Sequence, residues 1–524
     1  MRGRLIMVLT ALVLMSCSKE DAYSGRGIDY SYGKELKHEM IVLGDRLENP
    51  YKTENMAKAL KSLYPTKADR VEISTTNLYV RFLPADDSEY ELLIAKGVQM
   101  LDHPLDYDIL VEGDWYHDPD VPEDDMTWQY AVVDPDFEFP NVRYEIIDEC
   151  YIAENAAGTR ADDGIDWDAV EREAYIITGN EERLPVLTKS SAKVKPSGRI
   201  TIVDEHANGG KPIGVAGVRV SCNSFVKFDN AYTDRDGYYE MSKSFSSKLR
   251  YRLVFKNEKG FSIGFNLVLV PASVSTLGKS APDGVNMTIT KDSEQKLFRR
   301  CVVNNSAYEY FTRCVDDDLG INVPPSDLRL WIFNNIASSS AVMLHHGTVL
   351  EGEMLNKYLG EYISLIQYFL PDITVGVKGA SDYRSIYSDT CHELAHASHF
   401  SKVGTSYWNT YIRYIIESYI KTGGKTYGDG TGVGAGHCEV GEMWAYYLES
   451  KMYKERYGGR FPSFGTSYWF APQILRYLDE RGVSCSEMFS VLDATIASRS
   501  DMKAAFMLAF PDKRAIIEQV FNRY

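Results

Sequence analysis

The chain has 524 residues, 44% of them hydrophobic and 25% charged, and a formal net charge of −17. That length and apolar content suffice for large buried cores in about three domains. The acidic balance and the absence of a basic run exclude nucleic acid as a partner, and no internal run of sequence is long and apolar enough to span a membrane.

At the start of the chain, Arg2 and Arg4 precede an apolar run from Leu5 to Met15. The run is shorter than the roughly 20 residues of a membrane helix, so residues 1–16 read as a signal peptide. Leu14-Met15-Ser16-Cys17 has the form of a lipobox, with Cys17 as the residue lipidated after cleavage. Ser18-Lys19-Glu20-Asp21 is similar to the short export signal that carries some Gram-negative lipoproteins to the cell surface. The expectation is an outer-membrane lipoprotein exposed at the cell surface, touching the membrane only through its lipid, with residues 17–35 as the lipidated tether. Such a location permits disulfides, but the seven cysteines beyond Cys17 are odd in number and contain no Cys-x-x-Cys, so buried thiols are expected.

The fold class expected is multidomain α+β. Residues 36–190 form an N-terminal α+β domain of unknown role, with a helix over Asn55–Tyr64 and alternating strands at Leu78–Leu83 and Tyr130–Val133. Between Glu112 and Asp125 half the residues are acidic, without the spacing of a calcium loop, and the stretch reads as a solvated loop. Residues 196–272 carry short strands at Gly198–Val203, Gly217–Ser221 and Tyr251–Phe255, with a tight turn at Asp236-Gly237. This segment resembles the transthyretin-like, carboxypeptidase-regulatory-like β-sandwich, which implies a spacer or a binding module.

Residues 285–524 form the last domain, mainly helical with a small sheet. Leu328–Phe333 and Ala341–Leu344 read as strands, and helical patterns follow at Tyr411–Lys421, Val440–Tyr457, Pro472–Arg481 and Asp501–Phe521. Within it lies His392-Glu393-Leu394-Ala395-His396, in a chain with only ten histidines. Positions i and i+4 of a helix share a face about 6 Å apart along the axis, so both imidazoles can reach one metal ion while Glu393 reaches a metal-bound water. Tyr387, Cys391, Leu394, Ala395 and Ser398 recur at helical spacing on the other side, and Ser385 or Ser388 could cap the start.

A catalytic zinc site has three protein ligands and leaves the fourth position to water. His399 is i+7 from His392, about 10.5 Å along the axis, too far to share the ion; it reads as a neighbour of the site. Downstream, Gly441-Glu442-Met443-Trp444-Ala445-Tyr446-Tyr447-Leu448 resembles the second zinc-binding helix of gluzincins, the zincin-like superfamily of thermolysin-like peptidases and large zinc aminopeptidases. The resemblance puts Glu442 on the third ligand and Ala445 on a small residue that lets the helices approach. Gly441 replaces the usual Asn, and 45 residues separate His396 from Glu442, a long interval. Glu439, one turn earlier, stays open as an alternative.

These parts imply a cell-surface zinc metallohydrolase holding one Zn2+ on His392, His396 and Glu442, with Glu393 as general base and a peptide or protein as substrate. The oxyanion donor could be His437, Tyr446, Tyr447 or Tyr468. Gly428–Gly436, a glycine-rich stretch before Glu442, reads as a lid or a connector. The alternative function is a non-catalytic surface lipoprotein that binds glycan or protein, with a structural or vestigial metal site.

Overall fold

In the computed structural model the described residues are 40–68, 71–122, 125–156, 164–184, 193–265, 272–316, 319–334, 339, 341, 372–380, 382–422, 425, 427–458 and 468–524. The segments expected to be a signal peptide and a lipidated tether, with Cys17, and the strand expected at Ala341–Leu344, apart from Ala341, lie outside them.

Alternation builds the first sheet. In β2 (Asn77–Leu83), Leu78, Val80 and Phe82 face a core with Leu93, Ala131 and Val133, while Tyr79 faces another with Tyr51, Trp128 and Tyr130. β2 therefore runs centrally, antiparallel to both β4 (Gln129–Val133) and β5 (Arg143–Cys150). β1 (Val42–Arg46) and β3 (Tyr107–Val111) form a separate antiparallel pair. Three helices flank these strands: α1 (Thr53–Leu63), α2 (Asp87–Ala95) and α3 (Trp167–Ile177). α1 and α3 bury Met56, Ala59 and Leu60 against Val170 and Ala174.

Two further sheets share one core. β6 (Ser197–Val203) lies between β10 (Tyr238–Glu240) and β14 (Met287–Ile289), with β7 (Pro212–Gly214) alongside. The other runs β9 (Lys227–Tyr232), β8 (Val218–Ser224), β11 (Leu249–Asn257), β12 (Ser262–Phe265), β15 (Arg329–Phe333), β16 (Ile373–Gly376), and β13 (Val274–Ser280) pairs with β11. Ile200 and Ile202 of β6 meet Val218, Val220, Leu253 and Phe255 in that core. Gly237, at φ 78°, makes the expected tight turn between β9 and β10. The sheets extend past residue 272: β12 pairs in parallel with β15, and β15 with β16. A parallel pair needs a crossover. Between β12 and β15 lies the 21-residue α4 (Gln295–Val315), capped by Glu294, which buries Phe298, Val302, Tyr310 and Phe311.

The acidic stretch departs from the solvated loop expected. Glu112 is ion-paired with Arg250 at 2.9 Å, and Asp114 with Arg300 at 2.8 Å, so its first carboxylates dock on the large sheet and on α4. The seven cysteines are buried free thiols, and Cys391 and Cys438 do not bridge.

The C-terminal region is helical: α5 (Tyr383–Thr422), α6 (Ala435–Tyr457), α7 (Gln473–Asp479), α8 (Cys485–Val491), α9 (Arg499–Ala509) and α10 (Arg514–Phe521). The single helix expected over Asp501–Phe521 is two, because Pro511 cannot continue α9 and a 3-10 turn intervenes. The architecture is mixed α/β with several sheets, and no described helix is long and apolar enough to cross a membrane.

Candidate metal centre

Asp382 starts α5, its Oδ1 accepting from the Ser385 backbone N–H at 3.0 Å, so the cap lies before both serines expected there. Tyr387, Cys391, Leu394 and Ala395 are fully buried, and Tyr310 of α4 meets Ser398 at 2.9 Å. At Gly404 the backbone turns to φ 79°, ψ 177°, a region that belongs to glycine. A straight helix would separate His396 from Trp408 by about 18 Å along its axis. Their rings lie 5.6 Å apart, and Tyr411 is 5.9 Å from the same imidazole, so the second half of α5 doubles back over the first.

α6 lies against α5, with the Trp444 indole N–H donating to the Ala395 carbonyl at 3.2 Å. Ala445 is fully buried. A Cβ on Gly441 would meet nothing closer than Tyr411 at 4.0 Å, so the absent Asn leaves no steric signature. The glycine-rich stretch leading into α6 serves close packing: a Cβ on Gly436 would lie 1.9 Å from the Ala497 carbonyl oxygen. It is also held by Tyr414, whose hydroxyl accepts from the Gly430 N–H at 3.0 Å, which favours a connector over a lid.

His392, His396 and Glu442 come together, each offering one ligand atom within 4.8 Å of the others, and all three are buried. Nε2 of each imidazole is 3.6 Å from a different oxygen of Glu442. On its far side, His392 Nδ1 meets Glu449 Oε2 at 3.1 Å, and Glu449 also accepts from Ser388 Oγ at 2.5 Å. Tyr411 donates to Glu442 Oε1 at 2.5 Å. Glu442 and Glu449, two turns apart on α6, thus hold the two nitrogens of one imidazole. Glu393 is 1% exposed, and its Oε2 has no hydrogen-bond partner among the described residues.

The electrostatics follow from burial and these carboxylates. Burial opposes charge on His392, but the carboxylates of Glu442, 3.6 Å from Nε2, and of Glu449, hydrogen-bonded to Nδ1, outweigh it and hold the imidazole up to about 10. Burial drives His396 down to about 3, against the pull of Glu442. For Glu393, burial, reinforced by Glu442 and opposed by His392, lifts the carboxyl well above its usual range.

The other expected residues divide clearly. Glu439 lies outside the cluster, accepting from the Arg499 backbone N–H at 2.8 Å. His399 is fully buried beside Tyr407, which also packs 4.3 Å from His437, and neither imidazole belongs to the metal-ligand group. Tyr446 packs 4.7 Å from His392, with its hydroxyl between Tyr427 at 2.9 Å and Tyr468 at 3.2 Å. Tyr447 instead donates to Asp479 at 2.9 Å on α7. Glu449 and Tyr411 went unread in the sequence, although i+7 spacing from Glu442 on the expected helix was a usable signal for Glu449.

The residues suit a cation on an observation of their own. His392 Nε2 is buried without a hydrogen-bond partner among the described residues, facing a carboxylate that is itself fully buried. Burying a carboxylate costs several kcal/mol unless positive charge and hydrogen bonds compensate it. Two imidazole nitrogens and one carboxylate oxygen could therefore hold a metal ion. No family model matches this chain, and no curated protein or solved structure matches it either.

Proposed function

We propose that this protein is a surface-tethered zinc metallohydrolase, acting as a peptidase. The observation that carries the reading is the convergence of His392, His396 and Glu442, from two helices far apart in sequence, on one buried point. Two imidazoles and a carboxylate are a catalytic zinc set, three donors that leave a fourth position for water. The resemblance to gluzincins supplies the reaction class, and the lipobox at Cys17 supports the location.

Zinc held by these three side chains would provide Lewis acidity and lower the pKa of a water to about 7. With zinc bound, its positive charge would ionise the carboxyl that burial otherwise keeps protonated, and Glu393 would then take a proton from the attacking water at Oε2 and return it to the departing amide nitrogen. With a metal ion at Nε2, Glu449 would keep Nδ1 as the protonated, donating nitrogen of His392. The phenols of Tyr427, Tyr446 and Tyr468 form a hydroxyl chain beside His392, and we assign the oxyanion donor to it.

Glu393→Gln preserves shape and removes the base. Purified without chelator and assayed on a peptide library, the variant is expected to keep its zinc and to lose cleavage by a factor of about 10² or more. Cleavage at the wild-type rate would remove Glu393 from the mechanism. A zinc-loaded wild type that cleaves nothing would favour the non-catalytic binding protein.

A further inference from the structure

Between the N-terminal strands and the large sheet lies a cavity of about 570 Å3, the size of a small-molecule site, which shares no residue with the metal-ligand group. Its floor is the outward face of β8 and β11. Odd-numbered residues of β11, such as Tyr251, Leu253 and Phe255, fill the core, and even-numbered Arg250 and Arg252 therefore point the other way, into the cavity. Tyr90, Ile94 and Met100 supply an apolar wall opposite.

Charged groups of both signs line this space in equal number, but not every arginine is paired. Arg329 is paired with Asp87 at 3.0 Å and Glu91 at 2.9 Å, and Arg250 with Glu112 at 2.9 Å. Asp102 meets His103 Nδ1 at 2.9 Å. That leaves His103 Nε2 as acceptor for Arg250 at 2.7 Å, so this imidazole brings no negative charge. Arg252 is 2% exposed, forms no ion pair among the described residues, and is held only by Asn223 at 2.9 Å and, more distantly, His103. Its Nε is buried without a hydrogen-bond partner. Arg219, on the neighbouring strand, lines the same cavity and likewise forms no ion pair among the described residues. An isolated buried cation is costly, and a guanidinium fork matches a carboxylate in geometry and charge.

We propose that this cavity binds a small organic acid with an apolar body, its carboxylate seated on Arg252 and Arg219 and its body against Tyr90, Ile94 and Met100. The ligand completes an ion pair that the protein leaves half-built. Burial and the adjacent Arg250 bring Arg252 down to about 9, against the smaller opposing pull of Asp102 and Glu112.

The test uses 3-phenylpropionate and its uncharged analogue 3-phenylpropanamide as probes of the full-length mature protein, by calorimetry and thermal shift. The acid is expected to bind and raise Tm, and the amide to do neither. Arg219→Gln, at a half-buried position, should weaken acid binding by about tenfold or more while leaving the fold intact. Arg252→Met should abolish binding and yet leave thermal stability equal or higher, because a buried unpaired charge has gone; a merely structural arginine would lower it. No acid binding at about 10 mM, equal binding of acid and amide, or unchanged binding in both variants would each overturn the proposal.

Discussion

Glu449 is fully buried, two turns beyond Glu442, and touches the side of His392 that no metal ion could use. A carboxylate there fixes the imidazole tautomer and strengthens its free nitrogen as a donor, and losing such a partner lowers metal affinity by about 10- to 100-fold. Glu449→Gln should therefore weaken zinc binding by that factor in competition with a chromophoric chelator; unchanged affinity would make Glu449 a packing residue only. His392, Glu393 and His396 were legible because their chemistry is written in five consecutive residues of one helix. Glu442 needed a resemblance to be found, since nothing local distinguishes it from Glu439, and only three-dimensional packing sends Glu439 to Arg499. The capping residue was misread as Ser385 or Ser388 because Asp382 lies outside the apolar pattern used to find the helix.

At the scale of elements, the candidate metal centre depends on a bend. Gly404 lets Trp408 and Tyr411 return to His396, and Tyr411 then reaches Glu442. No atom lies within 4 Å of a Cβ built on Gly404, so space is not the constraint; the positive φ is. Gly404→Ala is expected to cost about 1–3 kcal/mol, measured by urea unfolding. Undiminished stability would mean that the bend is not set by this residue. Periodicity alone had located both halves of α5 but not the bend, because an apolar face carries no information about the direction in which a second helix leaves. It also merged α9 and α10, whose apolar positions stay in phase across the break at Pro511.

At the scale of the whole molecule, one core runs from β6 to α10, and Arg456 at the end of α6 ties it together through Asp204 at 2.9 Å and Glu309 at 2.7 Å. The sequence divided this stretch where strand patterns gave way to helical ones, but the parallel pairing of β12 with β15 is a long-range contact that no local pattern encodes. The same holds for the docking of the N-terminal strands, where His103 is buried between Asp102 and Arg250. Burial, against the pull of Asp102 and with Arg250 assisting, lowers His103 from 6.5 to about 4. A folded-state value below the unfolded one means that the unfolded chain binds the proton first. Stability is therefore full above about pH 6.5 and falls as pH drops toward 4, by up to about 3 kcal/mol. The stability advantage of wild type over His103→Asn should narrow across that window; a pH-independent difference would contradict it. The most direct test of the account is the zinc content of the protein purified without chelator, by elemental analysis, beside Glu442→Ala. About one zinc per wild-type chain and a marked loss in the variant are predicted; a wild type free of metal, or a variant that retains it fully, would contradict the metal centre on which the proposed function rests.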